Sequence, residues 1–369
     1  MKSYVFLYET CISFDNRKEA VHNAFKSKRV RKIAKHRHLT EEDVVRLSLI
    51  WIRHYKEIKH KPIYIREGIA QKERKLLVPT LEELVVQHCV VNALKPIFMR
   101  GMYAHSYASI PRRGAHKGKK ALSKWIRNDP ENCRYCLKLD IRHFFDSIPH
   151  DVLRIKLARK IKDHRMLGLI YTIINTTGTG LPLGFYTSQW LANWYLEDFD
   201  HFVKEKLRVK HYIRYMDDIV IFGNSSEWLH DVKNAISEYF HLLGLVVKSN
   251  WQVFEFSHDN RGRFLDFMGF RFYHNRVTLR KAIMLRSTRK ASRIARKSAP
   301  NVHDARQMLS YIGWFKHSDT YDVYDKHVAS IVNIKALKHI VSRKDKSKER
   351  RTPCKLRFTN RNQRYALTV

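Results

Sequence analysis

Two apolar runs separated by a pair of carboxylates make up the stretch Tyr212–Phe222. The second run, Ile219–Ile221, is β-branched, and Gly223 follows its last apolar residue. The pattern predicts a β-hairpin with Met216–Asp218 at its tip. Two like charges held together there need a compensating cation, so Asp217 and Asp218 are a candidate platform for a divalent metal. The alternative is an ordinary solvated turn, which the dipeptide taken by itself favours.

A second candidate carboxylate lies in Leu137–Ile141, where apolar and polar residues alternate. Alternation predicts a strand, with Asp140 near its end. A strand of this kind beside the predicted hairpin would bring three acidic ligands together. Two metal ions about 3.5–4 Å apart are the usual device for in-line phosphoryl transfer, because they activate the attacking oxygen and stabilise the leaving one.

Three further patterns lie around these stretches. Pro62–Pro79 predicts two short strands around Glu67-Gly68, and its basic residues suit either a grip on a triphosphate or a charged sheet edge. Leu81–Phe98 predicts an amphipathic helix that ends near Pro96. The glycine-containing loop 178–184 leads into Thr187–Gln189, which predicts a helix cap.

Composition changes the picture because Lys and Arg number 71 against 35 acidic residues, a formal charge of +36 on 369 residues. Such a charge calls for an anionic partner, and 12% aromatic residues suit base stacking on a nucleic acid. A membrane surface is the rival partner, but the chain has no apolar run of about 18 residues. The first residues lack a signal-peptide layout, so we expect a cytoplasmic protein without membrane contact.

The five cysteines are expected to be reduced thiols. Cys133 and Cys136 form a single CxxC pair, and the other three cysteines do not supply a second pair at zinc-binding spacing. A structural role is therefore favoured over metal or redox chemistry.

Taken in order, these motifs resemble those of reverse transcriptases over about Lys72–Phe272, closest to the group II intron-like bacterial lineage. Lys72–Pro79 is similar to the fingers motif, and Tyr215–Asp218 matches the YxDD box as YMDD. Asp140 stands where the family has its first metal-binding aspartate. Phe267–Phe270 is similar to the primer grip, which it places at Met268 and Gly269.

The resemblance implies an α+β fold, the right-hand polymerase, with fingers, a palm built on a split βαβ sheet, and a helical thumb. We expect a basic helical extension over 1–60, fingers over 61–135 with part of 150–185, and the palm over 136–280. A helical thumb over 281–341 and a basic flexible tail over 342–369 complete the chain.

The resemblance also implies the site. Asp140, Asp217 and Asp218 would be catalytic and would hold two Mg²⁺ ions, with Mn²⁺ as an alternative and the backbone of Ile141 as a further ligand. The residues implied to bind the dNTP are Lys72, Arg74, Phe145, Leu183, Gly184 and Gln189. Phe145 would be the steric gate against a ribose 2′-hydroxyl, although a core aromatic explains it too. Lys248, after Gly244-Leu245, is a candidate proton donor whose alignment is open.

One departure separates the sequence from most of the family. Where Gln-Gly-x-x-x-Ser-Pro is usual, the chain has Leu183–Gln189, with Leu first and Gln last. Both residues resemble the reverse transcriptases of diversity-generating retroelements. That resemblance implies error-prone copying of a template-repeat RNA from a DNA or RNA primer (mutagenic retrohoming), a small basic accessory variability protein as partner, and a bacterial or phage source.

Two other readings stay open. The chain is alternatively a retron or antiviral-defence reverse transcriptase, which keeps the chemistry and changes the biology. It is alternatively a maturase-like RNA-binding scaffold, which the three intact carboxylates disfavour.

Overall fold

The structure is a computed structural model and describes residues 4–67, 72–256 and 263–349. The chain divides into two compact units, Met1–Asn275 and Arg276–Val369. The predicted turn at Gly68 and the last 20 residues of the predicted tail lie outside the described residues.

The first unit begins with four helices, α1 (Leu7–Ile12), α2 (Phe14–Phe25), α3 (Lys28–His36) and α4 (Glu41–Arg53). Thr40 and Asp43 form a capping box at the start of α4. Buried aliphatic residues of α2 and α4 pack with those of the long helix that follows the first strands.

An antiparallel hairpin and two helices come next: β1 (Ile63–Glu67), β2 (Lys72–Leu76), α5 (Leu81–Gly101) and α6 (Ala115–Asn128). The two strands confirm the hairpin predicted for Pro62–Pro79. The predicted end of α5 near Pro96 is wrong, because the helix continues to Gly101 with Pro96 inside it. Tertiary packing overrides the local preference there, since Ile97 and Phe98 are buried.

A four-stranded antiparallel sheet lies at the centre of the first unit, in the order β4-β5-β3-β6. Its strands are β3 (Tyr135–Asp140), β4 (His211–Tyr215), β5 (Asp218–Gly223) and β6 (Gln252–Glu255). Because β5 runs antiparallel to both of its neighbours, β3 and β4 are parallel with β5 inserted between them. This is the predicted split βαβ arrangement, and with the helices it confirms the α+β fold class.

The helices of this part are α7 (Phe144–Ser147), α8 (His150–Lys160), α9 (His164–Ile174), α10 (Tyr186–Tyr195), α11 (Glu197–His201) and α12 (Ser226–Leu242). A 3-10 turn, Glu131–Cys133, precedes the sheet, and a π-helical turn, Phe202–Lys206, follows α11. The cap predicted at Thr187–Gln189 is wrong. Helix α10 starts before it at Tyr186, and the Ser188 hydroxyl donates instead to the Pro182 carbonyl at 2.7 Å.

The two faces of the central sheet have different roles. On β3, Leu137 and Leu139 point into the main hydrophobic core. Because neighbouring strand residues point to opposite faces, Lys138 and Asp140 share the other face. The Lys138 ammonium donates to the Asp266 carbonyl at 2.7 Å, so a second hairpin is attached to this face. That hairpin is β7 (Leu265–Phe267) and β8 (Phe270–Phe272).

The second unit contains a short strand, β9 (Val277–Leu279), and the helices α13 (Lys281–Ala295), α14 (Val302–Phe315), α15 (Tyr321–Tyr324) and α16 (Ile334–Glu349), with a π-helical turn Asp325–Ala329. The helical pattern is interrupted between α13 and α14 at Pro300, because proline cannot continue a helix. Helix α16 runs past 342, where the predicted tail begins, and the flexible tail stays a prediction. The helices of the described ranges are each too short or too polar to cross a bilayer.

Candidate active site

The hairpin of β4 and β5 brings the predicted carboxylates together. Its loop is Met216-Asp217, and Asp218 is the first residue of β5. Across β3 and β5, Asp140 lies directly opposite Asp218 in the register. Opposed residues of antiparallel strands project from the same face, so both carboxylates leave the open face of the sheet. The backbone N–H of Ile141 donates to the Asp217 carbonyl at 3.3 Å, which fixes the loop beside the end of β3.

Repulsion between these acids is visible in their electrostatics. Burial, followed by the charges of Asp140 and Asp218, raises the pKa of Asp217 to about 6 from 3.8. The Lys248 ammonium donates to Oδ2 of Asp140. Oδ1 of Asp140 is buried and makes no hydrogen bond with the described residues. A buried carboxylate oxygen without a partner is costly, so this corner favours a further cation.

The donor set fits a hard divalent cation such as Mg²⁺, because it consists of carboxylate oxygens with a backbone carbonyl nearby. The convergence of the three carboxylates is nevertheless incomplete. Within the described ranges, no three His, Cys, Asp or Glu side chains are arranged so that they could hold one metal ion. Lys248 supplies the positive charge at Asp140 instead. The metal-binding roles of Asp140, Ile141, Asp217 and Asp218 therefore stay predictions.

The three acids line a cleft of about 1300 Å³ in the first unit. Arg74 on β2, Phe145 on α7 and Leu183 line the same cleft, as do Ile141 and Lys248. In this cleft the acids lie on one pair of strands and the arginine lies on a separate hairpin. Such a cleft can hold a chain of phosphates between the arginine and a cation bound by the acids.

Other predicted residues lie elsewhere. Gln189 is exposed on α10, and it is not among the described residues that line the cleft, nor is Gly184. The side chain of Lys72 lies outside the described part of the chain, although its backbone belongs to β2. Met268 and Gly269 form the loop between β7 and β8, with φ of 51° and 87°. Two positive φ values are typical of a type I′ hairpin turn.

The loop at Leu183-Gly184 is fixed to the β1–β2 hairpin. The Leu77 N–H, just after β2, donates to the Leu183 carbonyl at 2.8 Å. Gly184 has φ of 105°, and a Cβ there would lie 2.2 Å from the Leu77 carbonyl oxygen. Only glycine tolerates both the backbone conformation and this close approach. Gly184 thus sets the position of Leu183 in the cleft, although it does not line the cleft itself.

A buried polar cluster below the hairpin was not predicted. The Arg214 guanidinium is fully buried and donates to both carboxylate oxygens of Asp200, at 2.8 and 2.6 Å. It also donates to the Met216 carbonyl at 3.0 Å, one residue before Asp217. The signal that could have revealed it is a charged residue inside the apolar run of β4, since a buried charge must be paired.

Comparison with known proteins agrees with this geometry. The family model "Reverse transcriptase (RNA-dependent DNA polymerase)" matches residues 59–271, more than half of the 369 residues. The group II intron-encoded protein LtrA of Lactococcus lactis is 30% identical over 38% of this chain and 24% of its own length. The retron Ec73 reverse transcriptase of Escherichia coli is 27% identical over 42% of this chain and 52% of its own.

Each of these matches covers less than two thirds of the relative. A solved structure of telomerase from Candida tropicalis in complex with a fragment of telomeric RNA has a TM-score of 0.50 at 13% identity. It covers 85% of this chain and 58% of that protein, and at this identity the likeness concerns the fold. The family match includes β1 and β2, the three carboxylates and the β7–β8 loop. The chain therefore belongs to the reverse transcriptase (RNA-dependent DNA polymerase) family.

Proposed function

We propose that the protein is an RNA-directed DNA polymerase, which transfers nucleotides from dNTPs to a primer 3′-hydroxyl on an RNA template. The observation that carries the proposal is the opposition of Asp140 and Asp218, with Asp217 in the adjoining loop, inside a cleft that Arg74 also lines. Membership of the family supports it.

Each side chain of the cleft has a role in this proposal. Asp140, Asp217 and Asp218, with the Ile141 carbonyl, hold the divalent cations. When bound, two Mg²⁺ ions supply charge neutralisation and a lowered pKa of the attacking hydroxyl, and Mn²⁺ can replace them. Arg74, with Lys72 on the same strand, binds the triphosphate through its planar fork of donors. Lys248 is the candidate donor of a proton to the leaving pyrophosphate, because it lines the cleft.

Phe145 is proposed as the steric gate. It is half-buried, packs edge-on against Phe144 with ring centroids 5.6 Å apart, and lines the cleft. Its backbone carbonyl accepts from the Leu181 N–H at 2.7 Å, which ties it to the loop that carries Leu183. This hydrogen bond thus connects the proposed gate to the loop that is proposed to contact the nucleotide. The packing against Phe144 also agrees with a plain core role, and selection against ribonucleotides distinguishes the two.

Primer extension tests the proposal. Purified protein is supplied with oligo(dT) on poly(rA), dTTP and Mg²⁺. We expect elongation that a chelator abolishes and that added Mg²⁺ restores. An RNA-binding scaffold without polymerase activity would bind the same substrate and leave the primer unextended, and that result would contradict the proposal.

We further propose the diversity-generating retroelement type, with mutagenic copying of a template-repeat RNA and a small basic accessory protein as partner. The support is the pair Leu183 and Gln189. Leu183 lines the cleft and offers an incoming nucleotide shape without hydrogen bonds. Weak polar positioning lowers the discrimination between right and wrong pairs.

Leu183→Gln is expected to lower the error rate opposite adenine by about tenfold, because an amide adds the hydrogen bonds that fix the nucleotide. The backbone should stay in place, since Leu77 holds the carbonyl of residue 183. Sequencing of cDNA from a defined RNA measures the effect. Leu183→Met is the control, because it keeps an apolar side chain and should keep the wild-type error spectrum. Equal spectra for all three proteins would refute the role of Leu183.

A retron-type or group II intron-type enzyme is the alternative biology. The similarity to the retron Ec73 reverse transcriptase and to LtrA supports it as well as the Leu183 pattern supports the retroelement. The neighbouring DNA distinguishes them. A near-identical repeat pair that differs at adenines favours the retroelement, and a flanking intron or retron RNA favours the alternative.

A further inference from the structure

Helix α6 has two sharply different faces. Gly118, Leu122 and Ile126 are buried, and they recur every four residues. The exposed cations are Lys117, Lys120, Lys124 and Arg127. Their spacing of three, four and three residues places them in one row along the opposite side of the helix, which at 1.5 Å per residue is about 15 Å long. We call these four residues the α6 row.

The charge of the α6 row is not compensated within the described chain. No acidic residue occurs in α6, and its first turn lacks the acids that suit a helix N-terminus. The three lysines make no hydrogen bond or ion pair with the described residues, and Arg127 bonds only the side chain of Asn128, at 3.4 Å. Like charges three and four residues apart destabilise a helix. A bound anion would remove this cost.

The buried side of α6, opposite the row, packs against the β7–β8 hairpin. A Cβ on Gly118 would lie 2.6 Å from the Met268 sulfur, so the helix backbone touches the β7–β8 loop. His116 packs against Phe270 with ring centroids 5.8 Å apart. Lys138 attaches the same hairpin to the sheet face that carries Asp140. None of the four cations is among the described residues that line the catalytic cleft.

We propose that the α6 row binds the phosphate backbone of a primer–template duplex outside the catalytic cleft, on the side of α6 opposite the Met268 loop. The inference rests on the proposed function for the identity of the ligand. The row spans about 15 Å, and each strand of a duplex carries a phosphate for about every 3.4 Å of the helix axis, so several phosphates lie within the length of the row. The contacts are to phosphates, so they hold the duplex in place and carry no sequence preference.

The triple variant K117Q/K120Q/K124Q tests the proposal. The substitutions are on the exposed face, so the fold should be kept. The control, K18Q/K95Q/K206Q, removes the same charge from three exposed lysines on separate elements. Binding of a long RNA–DNA primer–template duplex is measured by fluorescence anisotropy over a salt series. Each lost phosphate contact should reduce the slope of log K against log salt by about 0.9.

For the row variant we expect a slope smaller by about 2–3, and for the control a change below about 1. Extension of a short duplex that ends within the cleft should be the same for both variants and wild type. Equal slopes for the two variants would overturn the proposal. A loss of binding to single-stranded RNA without a loss of binding to the duplex would overturn it too. The row variant could show the expected slope difference from wild type while wild type extends no primer. In that case the proposed polymerase function fails and the phosphate site stands.

Discussion

Asp217→Asn is expected to lower Mg²⁺-dependent dNTP incorporation by at least about a thousandfold, because it removes a carboxylate from the centre of the proposed metal site. Binding of the primer–template should persist, since phosphate contacts to Lys and Arg supply most of the affinity. Single-nucleotide extension and anisotropy on the same samples measure the two effects.

The same substitution is expected to stabilise the metal-free protein at neutral pH. The pKa of Asp217 is raised to about 6 in the folded state, so the folded protein binds this proton more tightly than the unfolded chain. Its contribution to stability is complete below about pH 4 and is lost as pH rises through about 6. About two pKa units correspond to about 3 kcal/mol. Asparagine carries no charge and avoids this loss.

Thermal melting in chelator at pH 4.5 and pH 7.5 checks the stability effect. The gain in Tm of Asp217→Asn over wild type should be large at the higher pH and small at the lower one. Added Mg²⁺ should raise the Tm of wild type more than that of the variant, because a ligand stabilises the state that binds it. Asp151→Asn is the control, since that side chain is 91% exposed. A variant that extends primers normally, or melts lower at pH 7.5, would contradict the assignment.

The sequence predicted the parts of the site that depend on local pattern. Alternation identified the strand with Asp140, and the two apolar runs identified the hairpin with Asp217 and Asp218. Once β3 and β5 pair in register, the opposition of Asp140 and Asp218 follows from the pleat of the sheet. The fold class was implied by the order of the motifs, through their resemblance to reverse transcriptases, and not by the periodicity of the individual strands.

The rest depends on contacts between distant residues. Lys248 reaches Asp140 across 108 positions. The Leu77 N–H, after the β1–β2 hairpin, donates to the Leu183 carbonyl in the loop before α10. Pro96 is kept inside α5 by the burial of the residues after it, which local rules do not describe. Such features arise from packing, which overrides local propensity, so single-sequence patterns did not reveal them.

The Arg214 cluster is the clearest case of a determinant that only the structure reveals. Met216 has φ of 59°, a conformation that costs a non-glycine residue about 1–3 kcal/mol and persists only where the surrounding structure holds it. Arg214 supplies that hold by donating to the Met216 carbonyl. Asp200 and Tyr212 complete the cluster, with the Tyr212 hydroxyl donating to Asp200 at 2.5 Å. The loop that carries Asp217 therefore rests on a buried ion pair.

Arg214→Met is expected to lower the free energy of unfolding by about 3–5 kcal/mol, because it leaves Asp200 buried and charged without a partner. Urea unfolding followed by tryptophan fluorescence measures the loss. The double variant Arg214→Met/Asp200→Leu removes both charges and should recover most of the stability. It should still extend primers slowly, because the Met216 carbonyl has lost its donor in both variants. Arg159→Met, at an exposed position, is the control and should change stability by less than about 0.5 kcal/mol. Full activity in the stable double variant would show that the ion pair serves the fold and leaves the position of Asp217 unaffected.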